Sequence, residues 1–174
     1  MVQNIFGQDT QDFAGGVELG QLEYEWPNEA SGLAASQKNE NVIWSHNDSG
    51  DDNVIYALNL RGEHLGIYTI EGAADARDWE DIAVGPGPDE EESYIYIGEI
   101  GDNYSQYDEK YIYRVPEPDV DANQEPVETT LTGVETITYQ YPDGNRDSET
   151  LMVDPLTKDI YVVSKREWED IRVY

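Results

Sequence analysis

The sequence predicts an all-β protein, and three observations carry that prediction. Its apolar runs are short and rich in Ile, Val and Tyr. They are bounded by clusters of Gly, Pro, Asn and Asp, which favour turns. No stretch keeps apolar residues at i, i+3, i+4 and i+7 over three turns without a Gly or Pro interruption.

The elements follow in chain order. NEASGLA (28–34) is a short small-residue run leading into the turn before NVIWSH (41–46), where a β-branched pair and a tryptophan favour a strand. NDSGDDN (47–53) is turn chemistry, and NVIYALNL (53–60) and HLGIYTI (64–70) flank the tight LRGE turn (60–63) as a hairpin. RDWEDIA (77–83) and SYIYIGEI (93–100) are separated by GPGPDEEE (85–92). KYIYRV (110–115) follows, and the acidic, Pro-containing EPDVDANQEPVETT (117–130) has no apolar period and is expected to be a long surface loop. ETITYQY (135–141), RDSETLM (146–152) and DIYVVSK (159–165) complete the set, linked by YPDGN and DPLTKD.

These strands repeat in a fixed order. The first strands align Leu33, Ile82 and Leu151, with Glu29, Asp78 and Asp147 before them and Ser31, Glu80 and Glu149 on one face. The second align Trp44, Tyr96 and Tyr161, and the third align Ile55-Tyr56, Ile112-Tyr113 and Val173-Tyr174. Antiparallel units repeated with loop insertions are the mark of a β-propeller, here incomplete, with blades over 30–70, 78–141 and 146–174. A β-sandwich shares short strands and frequent turns but does not call for this threefold order. Residues 28–174 are thus expected to be part of a longer propeller, the third blade being cut short, and 1–27 to hold a segment (17–26) that serves as outer strand of a closing blade. The near-identical RDWEDIAV (77–84) and REWEDIRV (166–173) fall at different places in their units, so their match is coincidental in so acidic a chain.

Composition narrows the functions. Asp and Glu total 38 against 10 Lys and Arg, a formal charge of −28, which disfavours nucleic acid and anionic membranes. No run is long and apolar enough for a membrane span, and the N-terminus lacks the basic start and apolar stretch of a signal peptide. The absence of cysteine removes disulfides, thiolate metal sites and thiol nucleophiles.

The phrases SGLAAS…VIWSHNDSG, DWEDIAVGPG, IYIGEIGDN…YIYRVPEP and YPDG…DSETLMVDPLTKDIYVVSK occur in that order, and with them residues 28–174 resemble a mostly uncharacterised family of bacterial, often secreted β-propeller proteins. Its relatives include phytase-like and esterase-like propellers. The resemblance implies a propeller fold and an extracellular or periplasmic setting. It carries over no catalytic motif.

Two groups of acids are candidate ligands for calcium. Glu29, Asp78, Glu80, Asp147 and Glu149 would converge if first strands line a common axis, and hard cations take six to eight such oxygens. The competing reading has each acid capping its own turn. Asp48 and Asp51 in SHNDSGDDN, with Glu99, Asp102 and Asn103 in GEIGDN, form the second group, which departs from the EF-hand spacing and equally suits plain turns. His46 beside Asn47 and Asp48 is a weak candidate base without a nucleophile in a G-x-S-x-G setting. Lys165 and Arg166 either grip an anion or pair with local acids, and Trp44, Trp79, Tyr96 and Tyr161 suit packing between sheets. The expected function is a non-catalytic binding or scaffold module, held by calcium, with an unidentified small-molecule or protein ligand. A metal-dependent hydrolase of phosphoesterase or lactonase type is the alternative.

Overall fold

A computed structural model describes residues 15–23, 28–73, 77–166 and 170–174. The described residues contain eleven strands and no helix: β1 (Ala30–Ala35), β2 (Val42–Asn47), β3 (Val54–Asn59), β4 (His64–Ile70), β5 (Trp79–Pro86), β6 (Ser93–Glu99), β7 (Lys110–Pro116), β8 (Val127–Leu131), β9 (Glu135–Tyr139), β10 (Ser148–Val153) and β11 (Ile160–Ser164). They form three sheets, ordered β1-β2-β3-β4-β8, β5-β6-β7-β9 and β10-β11. A bridge from Val163 to Val173 begins a third strand in the last sheet.

The three sheets share one register. Ala34 pairs with Trp44, Ala83 with Tyr96 and Met152 with Tyr161. On the other side Ser45 pairs with Tyr56 and Ile97 with Tyr113, while Val162 and Tyr174 exchange backbone hydrogen bonds. The aligned triplets of the sequence therefore occupy equivalent places. Each first strand also steps by one residue near its start, between Ala30 and Leu33, Trp79 and Asp81, and Ser148 and Thr150. Such a bulge takes a residue out of the pleat's alternation and re-aims its side chain.

The first strands lie side by side, β5 between β1 and β10. One apolar core joins the first two sheets through Trp44, Ile55, Trp79, Ile95 and Tyr113, and a second joins the next pair through Tyr96, Ile112, Tyr141, Leu151 and Val162. Burying each large side chain contributes about 1.5–3 kcal/mol. Polar ties reinforce the seams: Ser31 Oγ donates to the Glu80 carbonyl at 2.9 Å, and Leu151 N donates to Asp81 Oδ2 at 2.8 Å.

One expectation is corrected. Residues 117–130 lie largely at the surface but are not a loop throughout: the chain leaves β7, crosses to the first sheet, pairs there as β8 parallel to β4, and returns as β9. The anchor is Glu117, whose buried carboxylate accepts from Trp44 Nε1 at 2.7 Å, Ser93 Oγ at 2.5 Å and the Lys38 amide at 3.1 Å. Acidity hid it, because a buried, fully bonded Glu looks like a surface Glu in sequence. Residues 17–23 carry no strand and run along the β3–β4 turn, where Glu23 N donates to the Gly62 carbonyl. The remainder of the expected 17–26 strand, and Trp168 and Glu169 of the second WEDI phrase, lie outside the described residues.

Candidate metal centre

At one end of the sheets, each first strand meets its second strand in the same closure. The amide after the second strand donates to the carbonyl before the first: Asp48 N to Glu29 O at 3.0 Å, Gly101 N to Asp78 O at 3.2 Å and Lys165 N to Asp147 O at 2.8 Å. Asp48 and Lys165 are therefore equivalent in backbone and opposite in charge, while Gly101 makes the same bond from one residue further along, since Trp79 pairs with Glu99. The bulges bring Ser31, Glu80 and Glu149 to the same end, with Glu80 and Glu149 left without cross-strand partners.

Five acids meet there. Asp48, Asp78 and Glu80 each offer an oxygen within 4.8 Å of the others, and so do Glu80, Asp147 and Glu149, so Glu80 belongs to both groups. Glu80 is only 6% exposed, and among the described residues its carboxylate has no hydrogen bond or ion pair. Burial, with Asp48 and Asp78 adding repulsion, pushes it up to about 8. Asp78 is also raised, first by burial and then by Asp147 and Asp48. Gly101 closes the back of the site, for a Cβ there would lie 2.3 Å from Glu80 Oε1 and 2.5 Å from Asp78 Oδ2. A carboxylate without a hydrogen bond or ion pair among the described residues, beside two further carboxylates and backed by a glycine, fits a hard cation with oxygen ligands.

The other expected ligands are placed elsewhere. Glu29 is exposed and outside both groups. Asp51 accepts from Asn47 Nδ2 at 2.5 Å and Tyr56 Oη at 3.3 Å. Glu99 is buried, accepting from Tyr113 Oη at 2.8 Å and pairing with Arg77 at 3.2 Å. Asp102 orders its loop by accepting from the amides of Gln106 and Tyr107 and pairing with fully buried Lys110 at 2.8 Å. Those donors outweigh its burial and hold its carboxyl below the usual range. Asn103 Oδ1 accepts from Arg166, which also pairs with Asp147, while Lys165 pairs with Glu149.

His46 has a structural task. Its Nε2 accepts from Gly32 N at 3.2 Å and its Nδ1–H donates to the Asn47 carbonyl at 2.6 Å, so both nitrogens hold the β1 bulge. Burial lowers its pKa and keeps the ring neutral. Trp44, Trp79 and Tyr96 are buried between the sheets and Tyr161 is half-buried. The features missed in sequence are Gly101 and Asp81; the first was legible only as a glycine between two acidic stretches. A cleft of about 660 Å³ beside β4 and β8 is lined by Arg61, Glu63, His64 and Gln124, and shares no residue with the acid groups.

No family model, curated protein or solved structure matches this chain.

Proposed function

We propose that the chain is a non-catalytic binding or scaffold module whose sheets are successive blades of a β-propeller, held at their common end by a calcium ion on Asp48, Asp78 and Glu80. The observation that carries the reading is Glu80, a largely buried residue whose carboxylate makes no hydrogen bond or ion pair among the described residues and faces the carboxylates of Asp48 and Asp78. A divalent ion there would relieve the repulsion and link the first sheet, through Asp48, to the second. The shared register and adjacent first strands support the propeller arrangement over a sandwich. An extracellular setting suits a site of this kind, because calcium is plentiful there.

Calorimetric titration of calcium into chelator-stripped protein at fixed salt tests it. We expect saturable binding that Glu80→Gln weakens at least tenfold. Absence of binding by the wild type would return the acids to surface and turn chemistry. The convergence of three carboxylates also favours the hydrolase reading, since a bound ion can activate water. That reading still needs a base, and His46 has both nitrogens committed. Turnover of phosphoester or lactone substrates that calcium restores to stripped protein would establish it.

A further inference from the structure

The two acid groups differ in what already neutralises them. Around Asp48, Asp78 and Glu80, no Lys or Arg among the described residues makes an ion pair with any of the three. In the adjoining group, Lys165 pairs with Glu149 and Arg166 pairs with Asp147. The backbone closure explains the contrast: the position that supplies Asp48 in the first sheet supplies Lys165 in the third.

Resting on the calcium reading above, we infer that this end of the molecule has two adjoining cation positions sharing Glu80, one for a free divalent ion and the other filled by the Lys165 ammonium. Asp147 also accepts from Asp102 N at 2.8 Å, so Glu149 beside Glu80 is the carboxylate that Lys165 neutralises. With Lys165 and Arg166 in place, an incoming ion at Glu80, Asp147 and Glu149 must displace a tethered cation whose effective concentration is far above that of free calcium. The protein is therefore a one-ion site built on a two-ion frame. This departs from a two-metal catalytic centre, in which both positions take ions.

The test is the number of ions bound. Wild-type protein should take one calcium by calorimetry, and Lys165→Gln, uncharged and of similar length, should take two, with circular dichroism confirming the fold. Lys165→Met is the second variant should the glutamine one misfold. A readout without substitution accompanies them: acetylation of Lys165 followed by mass spectrometry should change less than twofold between stripped and calcium-saturated wild type. Two ions in the wild type, one ion in both variants, or a several-fold rise in Lys165 acetylation on adding calcium would overturn the inference while leaving the calcium site standing. No ion in any protein would overturn both.

Discussion

At the scale of single residues, the site depends on one carboxylate and one missing side chain. A methyl group at Gly101 would press on Glu80 and Asp78 together. Glu80 can swing its end away but the shorter Asp78 cannot, so Gly101→Ala should lower calcium affinity at least tenfold by calorimetry and cost only about 1–3 kcal/mol of stability. An unchanged affinity would remove Gly101 from the site. Protonation gives a second prediction. Glu80 has its folded pKa raised from 4.5 to about 8, so its contribution to stability is present below about 4.5 and is lost as the pH rises through about 8. The melting temperature of stripped protein should fall over that window, and Glu80→Gln should flatten the fall. Saturating calcium should do the same if the proposed ion binds, because a cation favours the ionised form. A slope identical in wild type and variant would show that Glu80 does not titrate in this window. Of these features, the acids were legible in sequence as equivalent positions; the lack of a partner for Glu80 was not, because partners come from other sheets.

At the scale of elements, the bulges and the β7–β8–β9 excursion organise the molecule. Period-two alternation and turn residues made most strands readable, and the register bears out the alignment of the three units. The bulges were not readable, since one extra residue leaves the apolar pattern nearly intact. β8 escaped for a different reason: Val127–Thr130 is exposed, so no buried face marks it. Its crossing is secured at Glu117, where Trp44, Ser93 and the backbone after β1 converge. Glu117→Ala leaves the Trp44 indole N–H unpaired in the core and should cost about 2–4 kcal/mol. Urea unfolding should show a lower midpoint at unchanged slope, and a loss under about 0.5 kcal/mol would mean the excursion is held by its apolar contacts alone.

At the scale of the whole molecule, charge dominates. With a formal charge of −28, self-repulsion opposes the compact state, while the few cations are engaged in local pairs such as Lys110–Asp102, Lys165–Glu149 and Arg172–Asp143. Raising salt from about 0.05 to 1 M shortens the screening length to about 3 Å and should raise the melting temperature by several degrees. A fall would show that the pairs outweigh the repulsion. The sequence by itself determined the all-β class, the order of every strand except β8 and which residues are equivalent between sheets, because these are written in local alternation and turn chemistry. Only the tertiary structure decided which acids meet, that Asp48 faces Glu80 from one side while Lys165 holds Glu149 on the other, and that residues 127–131 join the first sheet. Those outcomes depend on how first strands pack side by side, and a distance between sheets is not encoded in any one segment.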